Sequence, residues 1–212
     1  MAVGADPATV KPMPVPNPYH RFWFSGDFSA ATTAQGPFKP SSGSLMGTFA
    51  PGPLGDAARV GVGMLVHNPC FRFDFQGLRV GCEGSEERCT VTLTGLRWNG
   101  THEAATGSTS LDVRPCSHGE DCLLSSQIIR SVEGILFTNL TSVSITANVD
   151  GEARRLWADD LQMAWTESSC DAAACRSKVR NSIMGRSPLS AALSGARRFL
   201  RFGARPALAA EM

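Results

Sequence analysis

The sequence lacks the charge excess and the long apolar runs that would assign it to several common classes of protein. Its 212 residues carry a formal net charge of +1, so the chain as a whole has no electrostatic attraction to nucleic acid or to an anionic membrane. No run of apolar residues is long enough to span a bilayer. The sequence therefore predicts neither a nucleic-acid partner nor a membrane span.

Motifs for metal-dependent and nucleophilic catalysis are absent too. The histidines form neither an H-x-H nor an H-E-x-x-H set, so we expect no catalytic zinc. No G-x-S-x-G elbow marks a nucleophilic serine, and the Gly-rich residues 61–63 precede no helical pattern that would cradle a phosphate. The scattered histidines are His20, His67, His102 and His118. The sequence thus names no catalytic residue and no metal site.

Six of the seven cysteines fall into pairs that are close in sequence. None of the pairs has the C-x-x-C spacing of a zinc ribbon or a thioredoxin site, and each short interval carries Gly, Ser, Asp or Ala and can fold back as a loop. We therefore predict three disulfide loops, with free thiols or metal ligands as the alternative. The predicted pairs are Cys82 with Cys89, Cys116 with Cys122, and Cys170 with Cys175. Cys70 has no such neighbour. It is a buried free thiol, it pairs between molecules, or it rearranges the third pair by bonding to Cys170 or Cys175.

Two glycosylation sequons agree with an oxidising compartment, at Asn99-Gly100-Thr101 and Asn139-Leu140-Thr141. The first residues are polar and proline-rich and form no hydrophobic signal region, so we expect a signal peptide to precede this numbering. The sequence therefore predicts a secreted or secretory-pathway protein with glycans on Asn99 and Asn139.

Hydrophobic alternation predicts many short β-strands from residue 60 onward. Residues 60–66 alternate between apolar and other side chains, and Phe71, Phe73 and Phe75 place three rings on one face. Asp150-Gly151 is a hairpin turn signal. Further strands are predicted at residues 91–96, 111–113, 135–137, 143–149 and 155–165. This pattern indicates an all-β fold, a sandwich or a barrel, rather than an α/β fold.

Composition divides the chain into three regions. Residues 1–18 carry five prolines and predict an extended leader. Residues 19–175 form the predicted β-sandwich domain, in which residues 25–58 resemble long loops pinned by the buried rings of Phe28, Phe38 and Phe49. Residues 176–212 form a basic amphipathic tail.

The tail holds eight of the chain's 20 Lys and Arg residues against one acid, Glu211. Apolar residues recur at helical spacing between Leu189 and Leu200, and Pro188 suits the first position of a helix. We expect a surface helix or a disordered tail without membrane contact, and a membrane-surface or partner helix is the alternative.

Three motif groups together resemble a group of secreted fungal proteins of largely uncharacterised function. In that group an aromatic N-terminal motif is followed by a strand ending in Cys, a second Cys that opens a Thr/Val strand, and a closing Asp-Asp-Leu strand. The layout also resembles jelly-roll carbohydrate-binding modules. The motifs lie at residues 17–24 with 40–42, 73–82 with 89–95, and 137–143 with 156–165. The resemblance covers residues 17–165 and implies a secreted jelly-roll β-sandwich.

Aromatic residues with polar neighbours are the candidate binding groups. Trp98 lies in a predicted turn between Arg97 and Asn99, and Trp23 and Trp157 would offer flat platforms to a sugar ring or a hydrophobic metabolite. Burial in the core is the alternative for tryptophans in strands. The candidate ligand-binding residues are Tyr19, His20, Arg21, Trp23, Arg97, Trp98 and Trp157.

Asp159 and Asp160 are the one pair of adjacent carboxylates in the closing strand. Neighbours in a strand point to opposite faces, so they are poorly placed as a catalytic acid and base unless a bulge intervenes. We expect an aspartate at the strand end that bonds a neighbouring loop, with a structural calcium as the alternative. We expect no other cofactor.

Three functions remain open on the sequence. The first is a binding module for a carbohydrate or a hydrophobic small molecule. The second is a cofactor-independent cyclase of fungal specialised metabolism, of the hetero-Diels–Alder type, which needs an apolar pocket and a few hydrogen-bond donors rather than a nucleophile. The third is a structural or host-interacting secreted protein. A shallow groove with exposed rings would favour the first, a deep apolar pocket the second, and a flat glycan-shielded surface the third.

Overall fold

The structure is a computed structural model that describes residues 12–25, 27–51, 56–84, 88–117, 120–128 and 137–184. These residues form fourteen strands, two short 3-10 turns and one α-helix. The strands are β1 Met13–Pro14, β2 Trp23–Phe24, β3 Phe28–Ala31, β4 Phe38–Lys39, β5 Met46–Phe49, β6 Ala58–Gly61, β7 Phe73–Cys82, β8 Cys89–Trp98, β9 Glu103–Val113, β10 Cys122–Leu123, β11 Ser125–Ile128, β12 Ser142–Val149, β13 Glu152–Ala153 and β14 Leu156–Trp165. The 3-10 turns are Thr33–Gln35 and Gly63–His67, and the helix, α1, is Cys170–Met184.

The strands form two main sheets, which we call sheet A and sheet B. Sheet A has the order β1-β3-β5-β14-β7-β11, and sheet B has the order β2-β6-β12-β8-β9, with β13 also paired to β12. The chain passes repeatedly between the sheets, and its eight principal strands have the orders β5-β14-β7-β11 and β6-β12-β8-β9. This arrangement is that of a double-sheet jelly roll. The predicted all-β jelly-roll sandwich is confirmed.

The main hydrophobic core contains residues of both sheets. The three predicted rings Phe71, Phe73 and Phe75 are all buried in it, and Leu93 and Ile145 contribute from sheet B. Alternate residues of β8 and β12 face this core, which leaves the outer face of sheet B to the intervening polar residues.

Sheet A is covered on its outer face as well. A second apolar cluster includes Phe38, Met46, Leu124 and Trp157, and Trp157 is 1% exposed. Gly36 passes so close to this ring that a Cβ there would lie 2.0 Å from the indole. Residues 32–45 therefore form a cover over the outer face of sheet A, which we call the cover segment.

Within residues 25–58 the buried rings Phe28, Phe38 and Phe49 are confirmed, with exposures of 3% or less. The structure adds strands β3, β4 and β5 to a region that was predicted as loops. These strands are only two to four residues long. Alternation over so few residues is too short to read from the sequence.

The carboxylates of Asp159 and Asp160 tie the cover segment to β14. Asp159 Oδ2 accepts hydrogen bonds from the backbone N–H groups of Ser41 and Ser42, at 2.8 and 3.2 Å. Asp160 accepts from both serine hydroxyls at 2.8 Å. The register of β14 against β7 is irregular after Asp159, and Asp160 has a φ of 47°. This bulge turns both carboxylates to the same loop, which confirms the predicted bond to a neighbouring loop and corrects the expectation of opposite faces. The two residues lie within β14 rather than at its end.

Two further strand predictions differ from the structure. Residues 60–66 were predicted as one strand, but β6 ends at Gly61 and a 3-10 turn begins at Gly63, whose φ of 57° favours glycine. Strand β9 was predicted only at residues 111–113 but begins at Glu103. Its first part includes Glu, Ala and Gly, which have weak β-propensity, and it forms because β8 pairs with it along its whole length.

The disulfide prediction is confirmed for two pairs and wrong for the third. Cys82 is bonded to Cys89 and Cys116 to Cys122. Cys175, however, is bonded to Cys70, and Cys170 is an exposed free cysteine. Residues 170 and 175 lie on the same helix, and positions five apart point in different directions around a helix axis. The helix also crosses the expected boundary between domain and tail at residues 175 and 176.

Helix α1 is held against the sandwich by more than the disulfide. Arg176 is 3% exposed, and its guanidinium lies 4.9 Å from the ring centroid of Trp165. Its Nη1 donates to the carbonyls of Cys70 and Glu167, at 3.0 and 2.9 Å. Burial lowers the pKa of Arg176, and the nearby charge of Arg21 lowers it further. The first residue of the predicted tail is thus part of the folded domain.

No helix within the described ranges has the length and apolar character needed to cross a membrane. Residues 1–11 of the predicted leader and the predicted helix between Leu189 and Leu200 lie outside the described residues. His118 and most of the predicted strand at residues 135–137 also lie outside them.

We predict that loss of the Cys70–Cys175 bond destabilises the domain while loss of Cys170 does not. The bond joins residues separated by 105 positions, and its removal should lower the free energy of unfolding by about 2–5 kcal/mol. Urea unfolding of Cys70→Ser/Cys175→Ser measures this effect, with Cys170→Ser as the matched control. A Cys170–Cys175 peptide in a non-reducing digest of the wild-type protein would contradict the assignment.

We also predict that Asp159 contributes more to stability than Asp160. Asp159 is fully buried and accepts from three backbone N–H groups, so Asp159→Ala removes several part-buried hydrogen bonds to a charged group and should cost about 3 kcal/mol. Asp160 is partly exposed and its ion pair with Arg79 spans 3.3 Å, so Asp160→Ala should cost about 1 kcal/mol. Thermal and urea unfolding of the two variants compare them. Equal losses would show that the cover segment does not depend on the buried carboxylate.

Candidate functional site

An open cleft of about 320 Å³ lies at one end of sheet B. We call it the Trp23 cleft. Strand β2, the turn Gly63–His67 and the outer face of β6, β9 and β12 enclose it. It is lined by Trp23, Phe24, Ser25, Arg59, Gly61, Gly63, Val66, Glu103 and Ser142. Its volume lies at the lower end of the range for small-molecule sites.

A charged hydrogen-bond network forms the polar side of the cleft. Arg59 Nη2 donates to Glu103 Oε2 at 2.7 Å, and Arg59 Nε donates to Ser142 Oγ at 3.2 Å. Glu103 Oε1 accepts from Ser142 Oγ at 2.8 Å and from the buried Thr141 Oγ1 at 2.6 Å. Hydrogen bonds to ionised groups are the stronger kind. The carboxylate is therefore held in one position, while the Arg59 side chain is 45% exposed to solvent.

The Trp23 ring forms the apolar side of the cleft and is held by a glycine. A Cβ added at Gly63 would lie 2.7 Å from the indole, so this position has room only for hydrogen. Trp23 also pairs with Gly61 across β2 and β6. The ring is partly exposed and presents its free side to the cleft.

Arg72 holds the turn that carries Gly63 and Val66. Its guanidinium donates to the carbonyls of Asn68 and Val66, at 3.1 and 3.0 Å. Burial lowers the pKa of Arg72, the Arg97 charge lowers it further, and Glu103 opposes the shift. Because carbonyls occupy its donors, Arg72 acts as a structural support for the cleft wall.

Trp98 lies beside the cleft rather than in its lining. It pairs with Glu103 across β8 and β9, so the two side chains share the outer face of sheet B. Its ring meets His67 edge-on at 4.5 Å. Arg97 donates to the carbonyls of Asn139 and Thr138, at 3.0 and 2.8 Å. Arg97 thus supports a loop, and Trp98 remains a predicted ligand contact at the rim.

Tyr19, His20 and Arg21 form a tight turn that is separate from the cleft lining. The backbone N–H of Tyr19 donates to the carbonyl of Phe22, and the N–H of Phe22 donates to the carbonyl of Tyr19. Between them, His20 and Arg21 have φ values of 47° and 74°. Two left-handed central residues are the geometry of a type I′ turn. Burial raises the pKa of Tyr19. The turn positions β2, which begins two residues later, and its side chains are not part of the cleft lining.

Trp157 was predicted as a ligand platform, and this prediction is wrong. At 1% exposure it packs against Phe38 under the cover segment, so no ligand reaches its face. Strand alternation could not reveal this, because a strand buried on both faces has no solvent side.

The two sequon asparagines are both exposed. Asn99 Oδ1 accepts from the backbone N–H groups of Thr101 and His102, both at 3.0 Å, in the turn between β8 and β9. Asn139 has a φ of 55°, and its N–H donates to Asp74 at 2.9 Å. Their exposure is compatible with the predicted glycans.

In the described part of the chain, one group of three side chains has the spacing of metal ligands: Cys116, Glu120 and Cys122. Its two cysteines are bonded to each other, which leaves a single carboxylate. The carboxylate oxygens of Asp159 and Asp160 accept hydrogen bonds from serine hydroxyls and backbone N–H groups. These hydrogen-bond donors occupy the positions around the carboxylates that a calcium ion would need.

Sequence reasoning missed the polar side of the cleft. Arg59, Glu103 and Ser142 come from three strands that are far apart in the chain. No motif joins them, and Glu103 lies in the part of β9 that was not predicted as a strand. A lone charged residue between apolar neighbours, as at Arg59, is the sole sequence signal, and it marks only an outward-facing position.

Comparison with known proteins places the chain in a family. Residues 1–176 match the family model of a domain of unknown function, DUF7371. A solved structure of a DUF4465 family protein from Bacteroides caccae is 15% identical, with a TM-score of 0.46, over 77% of this chain and 90% of that chain. A search of curated proteins finds none that matches. Neither a fungal origin nor a carbohydrate-binding-module family is part of these findings. The matched residues include all three disulfides and end at the buried Arg176, and the chain belongs to the DUF7371 family.

Proposed function

We propose that this domain is an extracellular binding module whose Trp23 cleft takes a carbohydrate. The observation that carries the proposal is the indole of Trp23 opposite the bonded set of Arg59, Glu103 and Ser142 in one cleft. A sugar ring has an apolar face of C–H groups and an edge of hydroxyls. An aromatic plane beside fixed donors and acceptors suits both parts.

Compartment and surface chemistry support the same proposal. Three disulfides are compatible with an extracellular or secretory-pathway protein. The cleft charges are paired with each other, since Arg59 bonds Glu103, so the site has no excess charge that would select an ionic ligand. A neutral sugar therefore suits it better than a phosphate or a carboxylate.

The alternatives from the sequence have less support. A cyclase requires a water-excluding apolar pocket, whereas the Trp23 cleft is open and has an ion pair on its surface. A protein with a purely structural role would need no cleft of this kind. Binding without chemistry is the function that the described residues support best.

The test is native affinity electrophoresis in gels that contain a soluble neutral polysaccharide: laminarin, xylan or glucomannan. We expect at least one to retard the wild-type protein. Trp23→Ala should weaken that binding at least about tenfold, because the stacking surface is lost. Trp23→Phe, which keeps a ring, should retain part of it.

The ion pair is tested with a matched variant. Arg59→Met should weaken binding about tenfold through loss of its hydrogen bonds. Arg155→Met removes an ion pair of similar exposure, to Glu83 at 3.1 Å, outside the cleft lining and should leave binding unchanged. Retardation by none of the three polysaccharides, or equal binding by wild type and Trp23→Ala, would refute the carbohydrate site.

A further inference from the structure

Beyond the Trp23 cleft, the outer face of sheet B carries rows of small polar side chains. Residues that pair directly across antiparallel strands point to the same face, so the register defines which side chains share this surface. We call it the hydroxyl face. Its three rows, across β12, β8 and β9, are Ser144–Thr94–Ser108, Thr146–Thr92–Ser110 and Asn148–Thr90–Asp112.

Bonds between strands hold these side chains in fixed positions. The hydroxyl groups of Thr92 and Ser110 lie 2.8 Å apart, and those of Thr94 and Ser108 lie 2.9 Å apart. A hydroxyl has one donor and two acceptor positions, so each keeps bonding capacity toward solvent. Ser108 and Ser110 are exposed. The face is thus an ordered array of donors and acceptors.

The hydroxyl face is continuous with the cleft. Ser142 of the cleft lies two residues before Ser144 on β12, and Arg59 pairs directly with Ser144 across β6 and β12. Side chains at i and i+2 of a strand share a face. A ligand that leaves the cleft along β12 therefore passes over all three rows.

The chemistry of the face favours one class of ligand. No apolar side chain occupies the nine row positions, so within the rows a protein partner would find none of the aromatic or aliphatic anchors on which interfaces depend. The charged side chains at the two ends of the hydroxyl face are paired: Arg59 bonds Glu103, and Asp112 bonds Arg88. A phosphate backbone would need unpaired cations. Fixed hydroxyls without net charge suit a ligand that is itself neutral and rich in hydroxyls.

We propose that the ligand is a neutral polysaccharide chain that starts in the Trp23 cleft and extends across the hydroxyl face. The proposal rests on the proposed function of the cleft and specifies its ligand as a polymer rather than a mono- or disaccharide. The seven residues from Ser142 to Asn148 span about 20 Å, which is longer than a single sugar ring. Several sugar units therefore contact the face at once.

The matched test uses two pairs of exposed serines on the two sheets. Ser108→Ala/Ser110→Ala removes hydroxyls from the face, and Ser125→Ala/Ser126→Ala removes exposed hydroxyls from β11 of sheet A. Both are measured by affinity electrophoresis in laminarin, xylan and glucomannan. They are also measured by calorimetry with laminaribiose, xylobiose and mannobiose. Thermal unfolding checks that each variant is folded.

We expect Ser108→Ala/Ser110→Ala to weaken polysaccharide binding about tenfold and to leave disaccharide binding unchanged, with no effect of Ser125→Ala/Ser126→Ala. Equal polymer binding by the two double variants would overturn the extended site, and loss of binding in Trp23→Ala would still support the cleft. If wild type binds neither polymer nor disaccharide, both proposals are wrong. If Ser108→Ala/Ser110→Ala weakens disaccharide binding equally, the face is not a separate extension of the site.

Discussion

Burial of residues 156–159 of strand β14 on both faces of sheet A is the constraint on which the rest of the structure depends. Leu156 and Ala158 face the main core, while Trp157 and Asp159 face away from it and are equally buried. A buried indole ring needs packing contacts, and a buried carboxylate needs hydrogen-bond donors. The cover segment supplies them, with Phe38 and Gly36 against the ring and the backbone N–H groups of Ser41 and Ser42 on the carboxylate.

The two sheets differ in consequence. Because the cover segment packs over part of the outer side of sheet A, the outer residues beneath it, such as Trp157 and Asp159, are engaged in folding. Sheet B buries one face only, and its other face presents the Arg59–Glu103 pair and the rows of hydroxyl residues to solvent. A surface that does not contribute to the core can be used for binding at little cost in stability. The candidate site therefore lies on a face of the sandwich that does not contribute to the hydrophobic core.

Helix α1 and the cleft walls depend on the same small group of contacts. Trp165, at the end of β14, lies under the guanidinium of Arg176 and stacks on Phe22 with ring centroids 5.1 Å apart. Phe22 precedes Trp23, and Cys70, bonded to Cys175, follows the turn that carries Gly63. The C-terminal helix thus anchors both segments that shape the apolar side of the cleft. The matched family region extends to residue 176 and so includes the cysteine and the arginine that hold this helix.

Local patterns in the sequence determined the fold class, the buried rings of Phe28, Phe38 and Phe49, the Asp150-Gly151 turn and two of the three disulfides. Each of these depends on residues that are near one another in the chain. Strand β9, the Cys70–Cys175 bond and the joining of Glu103 to Arg59 were decided only by the tertiary structure. Each of those depends on which distant segments become neighbours. Alternation indicates that a side chain faces outward, whereas strand register decides which other outward side chain it meets.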